Sequence, residues 1–136
     1  AYTQACATTS ANIESCQWWD HLRRAGFVAG TGVIQPTNAL TGLVGVQTGD
    51  GAATPAATLL NVAGGAGFVS LIICSANLPD KIAIAVDTSM DDGASNLGSV
   101  RAILQAAPNP PVTTGTVSAA AYAETGTNTY TICRSL

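Results

Sequence analysis

Charged side chains are scarce in this sequence. Of its 136 residues only 10 % are Asp, Glu, Lys or Arg, against about 25 % in typical soluble domains. Lys and Arg together number 5, which is too few for the basic surfaces that bind nucleic acid or anionic membranes. No apolar run approaches the roughly 18 residues of a membrane span. A hydrophobic content of 47 % also excludes intrinsic disorder.

The sequence also lacks the short motifs of common enzyme classes. It has no Gly-x-Ser-x-Gly, no His-Glu-x-x-His and no Gly-x-x-x-x-Gly-Lys segment. Its one histidine, His21, directly follows Asp20, and adjacent residues of a helix do not face each other. We therefore expect no enzyme activity, no catalytic residue, no cofactor and no metal ion.

The length matches one domain, and no repeat or linker divides it, so residues 1–136 are predicted to form a single domain. The four cysteines lack the Cys-x-x-Cys spacing typical of zinc and redox sites. Two disulfides in an oxidising compartment are the better interpretation, and three pairings are possible. We predict Cys6–Cys16 and Cys74–Cys133, since the last two each end a β-like run.

The clearest single element is a helix over residues 11–25. Ser10 is a favourable N-cap, and apolar residues recur at helical spacing along one face. Gly26 is predicted to end the helix in the left-handed conformation. Phe27 would then contact Leu22, as in a Schellman motif.

Several later segments are rich in β-forming residues. They are residues 43–46, 59–62, 68–74, 99–104, 117–123 and 128–133. Residues 79–90 also alternate, but Pro79 at a helix start and an apolar stripe at helical spacing favour a second short helix there. The pattern predicts an α+β fold with the N-terminal helix packed on an antiparallel sheet.

Half of the eight acidic residues lie within residues 80–92. Two interpretations compete for Asp91 and Asp92. They either accept backbone N–H bonds within the Asp-Asp-Gly loop and pair with Arg101, or ligate Ca²⁺ together with loop carbonyls. Because the EF-hand spacing is absent, we expect Asp91, Asp92, Gly93 and Arg101 to form a structural loop.

Four stretches together resemble type IV pilins and the pseudopilins of type II secretion. They are residues 18–30, residues 77–87, the Asp-Asp-Gly…Gly-x-Val-Arg-Ala block of residues 91–102, and residues 130–136 with their cysteine. The block at 91–102 is the most specific. The resemblance implies a pilin globular head, a helix on an antiparallel sheet, without the long hydrophobic N-terminal helix of the family.

The resemblance further implies a structural subunit, major or minor, of a filament that serves secretion, motility or adhesion. Its partners would be other pilin subunits, and it would be located in an extracellular filament or the periplasm. The missing helix would be its only link to the inner membrane. An alternative is a secreted adhesin or lectin-like module that binds glycans through Trp19 and polar loops.

Overall fold

The computed structural model describes residues 14–49, 60, 67–113, 116 and 118–136. Its elements are α1 (Glu14–Arg24), β1 (Val44–Thr48), β2 (Leu71–Pro79), α2 (Asp80–Met90), β3 (Val100–Leu104) and β4 (Thr129–Ser135). The strands form one antiparallel sheet in the order β1-β2-β4-β3. The predicted α+β class with an antiparallel sheet is therefore confirmed.

Helix α1 ends as its sequence predicts. Gly26 adopts a φ of +80°, and its N–H binds the carbonyl of Arg23 at 3.0 Å. The N–H of Phe27 binds the carbonyl of Leu22 at 2.9 Å, which completes a Schellman motif. The Phe27 ring itself remains 80 % exposed. The predicted first turn of this helix, at 11–13, lies outside the described residues.

The helix in contact with the sheet is α2. Its backbone lies against β2, β3 and β4, whereas α1 makes no such contact with any of the four strands. Ala83 of α2 belongs to a buried cluster on one face of the sheet. The other members are Leu78, Val100, Ala102, Tyr130 and Ile132. The predicted packing of the N-terminal helix on the sheet is thus not confirmed.

Helix α2 confirms the second short helix predicted over 79–90. Pro79, predicted as the first helical residue, ends β2 and occupies the N-cap position with a φ of −55°, so the helix begins one residue later than predicted. The β2–β4 register shifts between Ser75 and Leu78. Because side chains alternate between faces along a strand, the extra residue turns Leu78 toward α2.

The opposite face of the sheet carries a second core around a disulfide. Cys74 and Cys133 are directly paired across β2 and β4, and their sulfurs are bonded at 2.02 Å, as predicted. Both are buried with Leu60, Phe68, Ile72, Ala76 and Val112. Cys16 also takes part in a disulfide, but its predicted partner Cys6 lies outside the described residues.

The strand predicted over 117–123 is wrong where the structure describes it. Residues 118–128 form an irregular segment, here called the strap, that leads into β4. Some of its backbone groups bind side chains and do not pair with a neighbouring strand. Ser95 Oγ donates to the Ala119 carbonyl, and the Ala123 N–H donates to Tyr130 Oη, both at 2.9 Å. The predicted strand at 59–62 lies, except for Leu60, outside the described residues.

The two helices have 11 residues each. Neither is long and apolar enough to cross a bilayer, and the search covered the described residues only.

Candidate functional site

The C-terminal end of α2 gathers acidic side chains. Asp87 lies in the last turn, and the Asp91 N–H binds the Asp87 carbonyl at 2.7 Å where the helix stops. Carboxylate oxygens of Asp87, Asp91 and Asp92 lie within 4.8 Å of one another. Together with Gly93, these residues are here called the acidic corner.

Asp91 and Asp92 bind backbone groups of the loop that follows. Asp91 Oδ2 accepts hydrogen bonds from the N–H groups of Ser99 at 2.6 Å and Val100 at 2.9 Å, which joins the end of α2 to the start of β3. Asp92 Oδ1 accepts from the Ala94 N–H at 2.8 Å, the geometry of an Asx turn. Gly98 has a φ of +65°, and a Cβ there would collide with the Asp91 carboxylate.

Arg101 lies on the disulfide face of the sheet, opposite Cys133 in the β3–β4 register. Its Nη1 donates to the Leu60 carbonyl at 2.8 Å, and its guanidinium carbon lies 4.7 Å from the centre of the Phe68 ring. Burial lowers the pKa of Arg101, and the charge of Asp91 partly offsets this. Among the described residues, no ion pair within 4 Å joins Arg101 to the acidic corner.

Asp87 is the buried member of the acidic corner. Its Oδ1 accepts from the Gly93 N–H at 3.0 Å, and its Oδ2 accepts from the Tyr122 hydroxyl at 2.5 Å. Burial raises the pKa of Asp87, the two hydrogen bonds oppose that rise, and the charges of Asp92 and Asp91 add to it. Burial and the bond to Asp87 raise the pKa of Tyr122 in turn.

The acidic corner is the part of the described chain where three carboxylates could approach a cation. Ca²⁺ takes six to eight oxygens, and each of these three carboxylates already accepts a hydrogen bond from the protein. The geometry therefore suits a structural junction between α2, β3 and the strap better than a metal site.

A second buried carboxylate, Asp80, stands at the opposite end of α2. Its Oδ2 accepts from the N–H groups of Thr125 and Gly126, both at 2.7 Å, and its Oδ1 accepts from the Lys81 N–H at 2.8 Å. The Gly126 hydrogen bond is the largest cause of a lowered pKa for Asp80, and burial opposes it. The sequence alone does not reveal this junction, since an acid in a first helical turn indicates only a favourable interaction with the helix dipole.

An open groove lies between α1 and strand β1. It has a volume of about 720 Å³ and is lined by Trp19, Arg23, Phe27, Val28, Ala29, Gln35, Pro36, Thr37, Val44 and Ile73. Among the described residues that line it, Arg23 is the only charged one, and it donates to the carbonyls of Ala29 at 3.1 Å and Gly32 at 2.6 Å. Trp19 is only 8 % exposed, so it is not the open platform on which a sugar ring stacks.

No protein-family model, curated protein or solved structure matches this chain. The resemblance to type IV pilins therefore stays a prediction from the sequence stretches quoted above.

Proposed function

We propose that this chain is the globular head of a type IV pilin-like subunit and that it acts by packing in a filament, without catalysis of its own. The observation that carries the proposal is the cysteine-containing segment 130–136. It resembles the last strand of pilins, and here it forms most of β4, an interior strand cross-linked to β2 through Cys133.

The most specific part of the resemblance supports the same function. The Asp-Asp-Gly…Gly-x-Val-Arg-Ala block runs from the end of α2 into β3. Within it, Asp91 binds the N–H groups of Ser99 and of Val100, the first residue of β3, and Gly98 leaves room for that carboxylate. These residue types thus meet the needs of a rigid junction, which is consistent with a subunit that acts by packing.

Composition and disulfides are consistent with a head displayed outside the cytoplasm. A buried disulfide suits an oxidising compartment, and a surface with few charges suits close packing against other subunits. On this proposal the partners are further pilin-like subunits in an extracellular or periplasmic filament. Anchoring in the inner membrane would require a hydrophobic helix upstream of residue 1.

Filament incorporation tests the proposal. The chain would be fused behind an apolar pilin helix and expressed in a host that assembles type IV filaments, and sheared filaments would be probed for it. We expect incorporation with the helix and none for the same chain without it. A fusion that reaches the membrane intact, in cells that still assemble their own filaments, yet never enters one would contradict the proposal.

A further inference from the structure

The groove between α1 and β1 combines exposed apolar surface with one cation. Phe27 at its rim is 80 % exposed. Arg23 uses two of its five N–H donors on backbone carbonyls, and among the described residues no carboxylate lies within 4 Å of it. Its positive charge is therefore available to an acidic partner.

The acidic corner offers the complementary surface. Asp91 and Asp92 are exposed and have no cation within 4 Å among the described residues. Met90 and Leu97 beside them are 44 % and 53 % exposed. The corner thus presents negative charge flanked by apolar side chains, as the groove presents a positive charge flanked by apolar side chains.

The two surfaces lie at opposite edges of the sheet. Val44 of the edge strand β1 lines the groove, whereas Asp91 binds the start of β3, the other edge strand. Three inter-strand spacings of about 4.8 Å place these edges roughly 14 Å apart. The groove and the corner of one copy are therefore on different sides of the subunit.

We infer that the groove binds the acidic corner of a second copy of this chain. The pairing rests on the proposed function, because it names the partner surface of a filament head. Two different patches meet, so the contact is heterologous, and each copy keeps a vacant groove or corner for the next one. Such a contact extends into a filament instead of closing as a symmetric dimer.

Charge reversal on each side tests the contact. Arg23→Glu places an acid in the groove, and Asp92→Arg places a cation at the corner. In each variant alone, side chains of like charge then face each other across the contact. We expect its association constant to fall about tenfold or more. An equimolar mixture of the two variants pairs Glu with Arg and Arg with Asp in alternation, so association should return.

The measurement is sedimentation equilibrium of the 136-residue chain at low ionic strength and rising concentration, since salt screens exposed charges. Lys81→Glu, at an exposed position outside the groove and at the end of α2 opposite the acidic corner, changes net charge by the same amount as Arg23→Glu and should associate like the wild type. A wild type that stays monomeric, a reversal variant that associates normally, or a folded mixture that fails to associate would each overturn the contact.

A substitution of an apolar groove residue keeps the test decisive if Arg23→Glu disturbs the loop whose carbonyls Arg23 binds. Phe27→Ser removes an exposed ring at the groove rim and should weaken association, whereas Val69→Ser, at a 66 % exposed position outside the groove, should not. Equal effects of these two variants would contradict the inference.

The filament assay separates this inference from the proposed function. If the wild-type fusion enters filaments but Arg23→Glu leaves the self-association of the chain in solution unchanged, the contact is wrong and the pilin-like function stands. If the wild-type fusion never enters a filament, the function itself fails, whatever the chain does in solution.

Discussion

The two ends of α2 each bury an aspartate, and the two carboxylates behave in opposite ways. Asp80 is 2 % exposed and Asp87 is fully buried. They are seven residues apart, about two helical turns, so they share one face of the helix. Both join the strap to α2, yet the pKa of Asp80 is lowered and that of Asp87 is raised.

The difference teaches that hydrogen-bond donors, and not burial alone, decide the cost of a buried carboxylate. Asp80 accepts three backbone N–H groups, which stabilise its ionised form. Asp87 accepts one N–H and one hydroxyl and also faces Asp91 and Asp92. The hydrogen bonds to its ionised form therefore do not offset the effects of burial and of the neighbouring negative charges.

The largest effect is expected from Asp80→Asn. An asparagine offers one oxygen in place of two, and its NH₂ group would face backbone N–H groups that need an acceptor. We expect a clear loss of the free energy of unfolding in urea titrations at neutral pH. Asp92→Asn is the matched control, since Asp92 is exposed and accepts a single N–H. Equal losses in the two variants would contradict the role given to Asp80.

The pH dependence sharpens this prediction. A lowered folded-state pKa means that the ionised carboxylate stabilises the fold above its ordinary pKa, 3.8, and that this stabilisation is lost as pH falls through the folded-state value. The difference in the free energy of unfolding between the wild type and Asp80→Asn should therefore become smaller below pH 3.8. A gap that widens with acid would refute the assignment.

An intermediate effect is expected from Tyr122→Phe. The substitution removes the hydroxyl that Asp87 accepts at 2.5 Å, and hydrogen bonds to charged groups contribute about 1.5–3 kcal/mol. We expect a loss in that range at neutral pH, measured by urea unfolding. In an Asp87→Asn background the same substitution should cost less, since the charged acceptor is gone. Additive losses would show that the two residues are not coupled.

Local signals in the sequence predicted the features that depend on neighbouring residues. The Gly26 stop, the helix after Pro79 and the strand near 99–104 follow from turn chemistry and periodicity. The Cys74–Cys133 pairing also followed, because each cysteine ends a β-like run.

Long-range features were not predictable in this way. The strap has the residue pattern of a strand, but its polar groups are satisfied by residues far away in sequence, Asp80 and Asp87 among them. The pattern also cannot place Arg101, whose partner surface at Leu60 and Phe68 exists only in the folded sheet. Such contacts depend on topology, which residue spacing alone does not specify.

The smallest effect at neutral pH is expected from Asp87→Asn, and its pH dependence distinguishes it from Asp80→Asn. The variant keeps an oxygen for the Gly93 N–H and removes an undercompensated buried charge, so stability should change by less than about 1 kcal/mol in either direction. On acidification the wild type protonates Asp87 as pH falls through its raised folded-state pKa toward 3.8, and the penalty of the buried charge is relieved. The free energy of unfolding of the wild type therefore rises relative to that of Asp87→Asn in this range. Below pH 3.8 it falls relative to that of Asp80→Asn. Urea titrations of the wild type and both variants across the acid range would measure these differences in the free energy of unfolding. As the pH falls, we expect the wild type to become more stable relative to Asp87→Asn and less stable relative to Asp80→Asn. Changes in the same direction would mean that the two ends of α2 hold their carboxylates in the same way.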